Sequence, residues 1–252
     1  MPRMVLKDEQ WSKLKPILLF CRINDKPELR MTLEGILYRI RTGIQWRDLP
    51  PEFGLWASIY KRFNEWAKSG KWELVFKIAS NNPDLEWLFI DGSIVKAHQH
   101  SSGASKDSKE GDHAIGKSVA GNTTKIHMVV DSLGLPVNFE ITGGQVHDVK
   151  VASSLLSPML PRVEALIADK GYDSQALRDE IEQNGAKPNI PKRKGAKEEL
   201  KNMDWNLYKI RHLVENIFAR LKHYRAIATR YDKLARNYKA TLLLTCSLLW
   251  LT

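Results

Sequence analysis

The spacing of apolar residues changes near residue 83, and this change limits the possible folds more than any other feature of the chain. Before it, Trp-rich apolar positions recur every three or four residues, as on the buried face of a helix. After it, apolar residues come in short continuous runs bounded by turn residues, as in buried strands. The sequence therefore predicts a helical domain over residues 1–82 and an α/β domain over residues 83–252.

Four helices are predicted in the first domain. Asp8 is the predicted N-cap of the first helix, a hydroxyl caps the second, and Gly43 ends the second. Pro50 and Pro51 place a loop between the second and third helices, longer than the turn of a usual helix-turn-helix. We therefore expect a compact helical unit that is only similar to a helix-turn-helix. The four helices are predicted over residues 9–19, 32–42, 55–68 and 72–79.

Charge is distributed unevenly along the chain. Residues 1–82 hold 15 Lys and Arg against 9 Asp and Glu, residues 83–186 hold 9 against 15, and residues 187–236 hold 14 against 5. Two basic flanks around an acidic centre indicate phosphate-binding surfaces beside a carboxylate site. The alternative is that these cations only keep the surface soluble. The candidate DNA contacts in the flanks are Arg39, Arg41, Lys61, Arg62, Lys192, Arg193, Lys194 and Arg225.

The second domain is predicted as three strands, a helix, a strand, a helix, a strand and two helices. Asp131 and Gly134 mark a hairpin turn between the second and third strands, and Asp148 is the predicted cap of the first helix. This order predicts a mixed sheet covered by helices on both faces. The strands are predicted over residues 85–90, 124–130, 136–142, 163–168 and 186–190, and the helices over 148–156, 174–184, 204–223 and 237–251.

Two of the predicted strands end in an acid. Asp91 follows the first strand, and Asp169 follows the fourth. One acid after a strand is unremarkable, because Asp suits turns. Two such acids with a third on a later helix are more informative, since clustered carboxylates repel unless cations neutralise them. Mg²⁺ prefers such oxygen ligands, together with water and substrate phosphate.

The third acid, Glu215, lies in the pattern Tyr208-x2-Arg211-x3-Glu215-x6-Lys222. On a continuous helix these four positions fall within an arc of about 60°. If the stripe lies along DNA, Glu215 completes a metal site, Arg211 and Lys222 hold phosphates, and Tyr208 bonds or stacks near the cleavage point. The alternative is a solvated stripe with an i,i+4 ion pair between Arg211 and Glu215.

This pattern resembles the YREK signature of bacterial insertion-sequence DDE transposases, and the chain as a whole is similar to the insertion sequence five group. The resemblance implies a ribonuclease H-like catalytic domain with two divalent ions, Mg²⁺ or Mn²⁺, held by Asp91, Asp169 and Glu215. It also implies that the protein binds terminal inverted repeats, cleaves the ends and joins them to target DNA. The segments that carry it are QWRDLPPEFG, DGSIVKAH, TTKIHMVVD, LIADKGYDS and RHLVENIFARLKHYRAIATRYDKLA.

One departure and two other functions accompany this interpretation. Insertion sequence four enzymes carry a β-rich insertion before the Glu helix, whereas here residues 191–203 form only a basic linker. A nuclease or Holliday-junction resolvase on the same fold would cut strands without joining them. A captured transposase would act only as a DNA-binding regulator, although a mere binder gains nothing from three clustered carboxylates.

The remaining features predict no further site. His98 and His100 alternate without a third soft ligand, which indicates an incidental pair rather than a metal site. The Ser-, Gly- and Lys-rich residues 101–119 predict a mobile loop that orders on DNA. Cys21 and Cys246 lack ligand spacing, and no apolar run is long enough to span a bilayer. We expect a reduced, cytoplasmic, nucleoid-associated bacterial protein that works as a homodimer on two DNA ends.

Overall fold

A computed structural model describes residues 2–101, 113–193 and 203–252. The chain divides into two compact units. We call Met1–Asn81, Lys96–His113 and Leu221–Thr252 the helical unit, and Asn82–Val95 with Ala114–Arg220 the sheet unit. The predicted boundary at residue 82 assigned both later segments of the helical unit to the catalytic domain, so this unit is larger than the sequence pattern indicates.

The helices and strands of the described residues follow in chain order. The helices are α1 (Asp8–Phe20), α2 (Leu29–Thr42), α3 (Trp56–Lys68), α4 (Lys71–Ala79), α5 (Val149–Leu156), α6 (Gln175–Gln183), α7 (Trp205–Lys209), α8 (His212–Lys222), α9 (Arg225–Ala228) and α10 (Ala235–Trp250). The strands are β1 (Trp87–Ala97), β2 (Gly116–Ser118), β3 (Gly121–Val130), β4 (Pro136–Gly143), β5 (Ala165–Ala168), β6 (Lys187–Asn189) and β7 (Thr229–Arg230).

The C-terminal helix α10 is central to the helical unit, where it packs against α3 and α4. It is buried on nearly all sides, as expected for a helix without a polar face. Two of its buried hydroxyls are satisfied within the helix, since those of Thr245 and Ser247 donate to the carbonyls of Thr241 and Leu243. This local bonding explains why such a helix tolerates hydroxyl residues in the core.

Two predicted helix starts are wrong. Asp8 is the first residue of α1 rather than its cap, and the N–H of Lys7 before it donates to the Gln10 side chain (3.1 Å). Helix α2 begins at Leu29, because the Thr32 hydroxyl accepts a hydrogen bond from Arg62 (2.7 Å) instead of capping the helix. The predicted end of α2 is confirmed, with Gly43 in the left-handed conformation (φ 72°) that favours glycine.

The strands form one mixed sheet in the order β2, β3, β1, β5, β6, with β4 also paired to β3 and β7 to β1. Strands β1, β5 and β6 are parallel, and β3 and β4 form the predicted antiparallel hairpin. Asp131 stabilises the hairpin turn, since its Oδ1 accepts from the N–H groups of Leu133 (3.1 Å) and Leu135 (2.8 Å). The predicted α/β class, a mixed sheet with flanking helices, is confirmed.

Three predictions about elements of the sheet unit are wrong. Strand β1 continues past Asp91 to Ala97, so Asp91 lies within a strand. Residues 116–118 pair with β3, although residues 101–119 were predicted as a mobile loop; residues 102–112 lie outside the described residues. The predicted helix over residues 204–223 is divided into α7 and α8, because the N–H of Arg211 bonds to the carbonyl of Tyr208, three residues back (3.1 Å).

Candidate active site

The sheet brings the two strand acids together. In the parallel pair of β1 and β5, Ile90 is registered with Ala168, so Asp91 and Asp169 follow directly on neighbouring strands. Neighbouring strands lie only about 4.8 Å apart, which places the two backbones side by side. The residues before both acids are buried on both faces of the sheet, so the two acids follow directly on its apolar interior.

Backbone N–H groups orient one oxygen of each of these carboxylates. Asp91 Oδ1 accepts from the N–H of Gly92 (2.7 Å), and Asp169 Oδ1 accepts from the N–H of Gly171 (2.8 Å). Asp169 thereby caps the short 3-10 turn Lys170–Tyr172. These bonds fix the two carboxylates in position before any ligand binds.

Arg211 links the strand acids to the third acid. Its Nη1 donates to Asp91 Oδ2 (3.1 Å), and its Nη2 forms an ion pair with Glu215. Its guanidinium also lies 5.9 Å from the centre of the Tyr208 ring. The structure therefore brings Asp91, Arg211, Glu215 and Tyr208 together within the sheet unit, and the i,i+4 pair considered from the sequence is present.

Electrostatics at these residues favour a bound cation. Burial raises the pKa of Asp91 above its usual range, and the charge of Asp169 acts in the same direction. The N–H of Gly92 and the guanidinium of Arg211 oppose this rise. Burial alone would lower the pKa of Arg211, but Asp91 and Glu215 raise it, so Arg211 remains a cation between two carboxylates.

A second polar cluster lies beside Asp91, and the sequence interpretation missed it. Lys125 Nζ donates to Asp148 Oδ2 (2.6 Å), and His127 Nδ1 lies 3.1 Å from Asp148 Oδ1. The prediction that Asp148 serves as a helix cap is therefore wrong, since its side chain makes no cap bond to α5. Burial would raise the pKa of Asp148, but hydrogen bonds from His127 and Lys125 lower it below its usual range.

Gly92 separates this cluster from Asp91. A Cβ at this position would lie 2.2 Å from Asp148 Oδ1 and 2.9 Å from Lys125 Cε, so any larger residue must displace the Asp148 carboxylate. The buried Tyr172 is close enough for the charges of Asp148, Asp91 and Asp169 to help burial raise its pKa. A histidine within the apolar run of β3, His127, was the sequence signal that could have identified the cluster, and the structure buries it fully.

The other predicted DNA contacts in the basic segment differ in their exposure and in their hydrogen bonds. The guanidinium of Arg193 donates to the carbonyls of Lys170 and Gly171 (both 3.2 Å), beside the turn that follows Asp169. Lys192 is half-buried, and Lys194 lies outside the described residues. Two further cations are exposed on the helical unit, Lys222 at the end of α8 and Arg225 at the start of α9.

The predicted cations of the N-terminal helices were all expected to be exposed. Arg41 and Lys61 are exposed, and Arg62 is half-buried with its guanidinium 2.8 Å from Glu28. The expectation is wrong for Arg39, which is buried and ion-paired with Asp232 (3.2 Å). Arg39 lies on the buried face of α2, where an unpaired cation would be costly.

The three acids suit a metal ion through the chemistry of their oxygen donors, not through a preformed set of ligands. Among the described residues, no three His, Cys, Asp or Glu side chains are gathered as a ready metal site. Asp91, Asp169 and Glu215 nevertheless offer the hard oxygen donors that Mg²⁺ prefers. Two of them already converge on the Arg211 cation, and this convergence is the observation that fits a divalent ion.

The family follows from sequence comparison. The family model described as a transposase DDE domain matches residues 82–250, and a model described as a putative transposase of the IS4/5 family matches residues 6–76. The chain therefore belongs to the DDE-domain transposases, enzymes that cut DNA and transfer strands with the help of metal ions. Within that class its N-terminal region matches the IS4/5 family.

Curated relatives agree with this family. A putative transposase for insertion sequence element IS6501 from Brucella ovis is 40% identical over 129 residues, 51% of this chain and 98% of the relative. A putative transposase for insertion sequence element IS402 from Burkholderia cepacia is 31% identical over 136 residues, 50% of this chain and 62% of the relative.

Solved structures are more distant. The piggyBac transposase synaptic complex with hairpin DNA has a TM-score of 0.39 at 14% identity, over 79% of this chain and 44% of that one. The Mos1 mariner paired-end complex with Mn has a TM-score of 0.29 at 11% identity, over 98% of this chain and 86% of that one. Scores this low do not establish a detailed structural correspondence, so the family rests on the sequence matches. In the described ranges, every helix is too short or too polar to cross a bilayer.

Proposed function

We propose that the protein binds the terminal inverted repeats of an insertion sequence, cleaves both ends and joins them to target DNA. The observation that carries the proposal is the Arg211 bridge between Asp91 and Glu215, with Asp169 directly after the strand that pairs with β1. Asp91 and Glu215 both bond to Arg211, and the parallel pairing of β1 and β5 puts Asp169 next to Asp91 in the backbone. A protein that only bound DNA would gain nothing from concentrating carboxylates where phosphates must approach.

Asp91, Asp169 and Glu215 are the residues that would hold two Mg²⁺ ions, with Mn²⁺ as a substitute. Bound ions of this kind supply an activated water or 3′-hydroxyl and stabilise the departing oxygen in an in-line displacement. The chain's own contribution is orientation. The N–H groups of Gly92 and Gly171 fix one oxygen of each Asp, which leaves the second oxygen free to face a ligand or Arg211.

Arg211 has a second role in this proposal, because a guanidinium can hold a carboxylate or a phosphate with the same fork geometry. With DNA in place, Arg211 and Lys222 contact backbone phosphates, and Tyr208 stacks or bonds near the cleavage point. Trp205, 60% exposed, packs edge-on against Tyr208 with ring centres 5.9 Å apart. These two rings offer apolar faces beside the acids.

The remaining cations are proposed to track the DNA backbone. Arg39 is not carried into this set, because it is buried and its charge is paired with the buried Asp232. Since moving an element requires both ends to be cut, we propose that a homodimer binds the two ends, in the cytoplasm at the nucleoid. The proposed backbone contacts are Arg41, Lys61, Arg62, Lys192, Arg193, Lys194 and Arg225.

The test is a strand-transfer assay with the full chain and end DNA in Mg²⁺. Asp91→Asn, Asp169→Asn and Glu215→Gln are each expected to abolish cleavage while end binding stays within a few-fold of the unchanged protein. Glu182→Gln is the matched control, since Glu182 is an exposed acid on α6. Chelation of divalent ions should abolish cleavage in the unchanged protein and in the control.

Each result separates the proposal from the alternatives. Joined products require a transposase, cut but unjoined products indicate a nuclease or resolvase, and binding without cleavage indicates a regulator. A triad variant that cleaves at the normal rate would refute the assignment of the acids.

A further inference from the structure

The helical unit holds a pocket of about 820 Å³ that the proposed reaction does not use. Its volume lies in the range of roughly 300–1,000 Å³ that is usual for ligand sites. One part of its lining is the 3-10 turn that contains Trp46 and Arg47, and another part is formed by His98, His100 and Tyr231. All of these residues belong to the same compact unit.

Three of the lining rings form a stack. The centre of the His98 ring lies 4.8 Å from that of His100 at an interplanar angle of 21°, and 4.7 Å from that of Tyr231 at 29°. His98 is half-buried in the middle, whereas His100 and Tyr231 are exposed. A nearly parallel stack with exposed outer rings offers a planar ligand a surface on which to continue the stack.

Buried contacts hold this stack in place. The N–H of His98 donates to the carbonyl of Arg230 (2.9 Å). The guanidinium of Arg230 is fully buried and donates to the carbonyls of His113 (2.8 Å) and Asp232 (2.9 Å). Tyr231 thus lies between two anchored neighbours, since Asp232 is itself paired with Arg39. A ring stack fixed in this way loses little conformational freedom when it binds a ligand.

The Trp46 part of the lining is also rigid, and its edge is cationic. The Trp46 ring packs against Phe63 (5.3 Å between centres) and lies 5.1 Å from the Arg39 guanidinium. Arg47 is exposed beside it, and Arg225 packs against the pocket residue Gly43. Asp48 is the acid in the lining. Flat aromatic surfaces next to exposed guanidinium groups match a ligand that carries both a planar ring and phosphates.

We propose that this pocket binds one unpaired base of a DNA strand, stacked on the outer face of Tyr231 so that it continues the stack of His100, His98 and Tyr231, while Arg47 and Arg225 contact the flanking phosphates. The inference rests on the proposed function, which brings DNA to this protein. A base within an intact duplex is already stacked on its neighbours, so the pocket selects DNA in which one base has left the helix. Stacking of single-stranded bases on aromatic side chains is tolerant of sequence, which gives the site a preference for unpaired bases rather than for one base type.

The test compares two duplexes of the same sequence, one fully paired and one with a single unpaired 2-aminopurine, by competition binding to the full chain without divalent ions. The full chain is expected to prefer the unpaired duplex by roughly 5- to 100-fold, the range that stacking of one base supplies. His98→Ala and Tyr231→Leu should remove this preference, while affinity for the paired duplex stays the same. Tyr231→Phe, which keeps the ring, should retain the preference and shows that the position tolerates substitution.

Phe20→Ala is the matched control, because Phe20 is an aromatic side chain of the same unit, 73% exposed and outside the pocket lining. Equal affinity of the full chain for both duplexes, or an unchanged preference in Tyr231→Leu, would overturn the pocket assignment. That outcome is separate from the proposed reaction, because cleavage and joining are measured on paired ends. If the triad variants cleave normally while Tyr231→Leu loses the preference, the reaction assignment fails and the pocket stands.

Discussion

Replacing Gly92 by Ala is expected to destabilise the protein through one contact that the structure identifies. The added Cβ would lie 2.2 Å from Asp148 Oδ1 and 2.9 Å from Lys125 Cε. The Asp148 carboxylate must therefore turn away, which breaks its contacts with Lys125 (2.6 Å) and His127 (3.1 Å). The backbone itself does not oppose the change, since Ala is at least as favourable as Gly inside a strand.

The expected cost combines two terms. Forcing an extra carbon into a packed site costs about 1–3 kcal/mol. The side chains of Lys125 and Asp148 are 13% and 23% exposed, so solvent screens their ion pair and its loss adds about 1 kcal/mol rather than the ~3–5 kcal/mol of a fully buried pair. Together these terms give a loss of roughly 2–4 kcal/mol in the free energy of unfolding.

A double-mutant cycle measures this contact directly. Urea unfolding of the unchanged protein, Gly92→Ala, Asp148→Ala and the double variant yields the coupling free energy. If Asp148 causes the clash, Gly92→Ala should cost about 1 kcal/mol or less once the Asp148 carboxylate is gone, because only flexible Lys125 remains in the way. The same cost in both backgrounds would refute the reasoning.

Three further predictions follow from single residues. The pKa of Asp148 is lowered in the folded state, so its stabilising contribution is present above the unfolded pKa of about 3.9 and is lost as pH falls through the folded value. Asp148→Asn should therefore shift the urea midpoint more at about pH 7 than at about pH 3. Gly43→Ala should lower Tm, with a cost of about 1 kcal/mol or more, because φ is 72° and the new Cβ would lie 3.0 Å from Arg225 Cβ; an unchanged Tm would contradict the left-handed helix end. Burial raises the thiol pKa of Cys21 and Cys246, so a thiol reagent should label neither in the native protein and both in denaturant.

The sequence was sufficient to predict that Asp91 and Asp169 come directly after buried strand segments. Asp91 and Asp169 each follow a buried apolar run, and parallel neighbours with both faces covered produce such runs. The end of β1 was not predictable in the same way. Beyond Asp91 the strand has alternating burial and two of its last residues pair with β7, a strand of only two residues near the C-terminus. No local sequence pattern predicts a pairing with a strand so distant in the chain.

Asp148 and Arg39 show why other predictions failed. Asp before a helix is a frequent cap, so a local rule explained Asp148 without reference to the rest of the chain. Its actual partners, Lys125 and His127, lie on a strand more than twenty residues earlier. Arg39 was expected on the surface because cations usually are, but Asp232 lies 193 positions away in sequence and allows its burial. In both cases a local rule was applied at a position that is determined by a long-range ion pair.

Arg211 combines the two interpretations that the sequence left open. The turn between α7 and α8 removes it from a regular helical position, and its guanidinium reaches both a neighbour four residues away and a strand residue 120 positions away. Burial and the charge of Asp169 both disfavour the charged form of Asp91 and raise its pKa. Arg211 opposes this rise and so favours the ionised form of Asp91, which is the form that binds divalent ions. The ion pair is therefore no argument against a metal site, because it preserves the charge state that such a site requires.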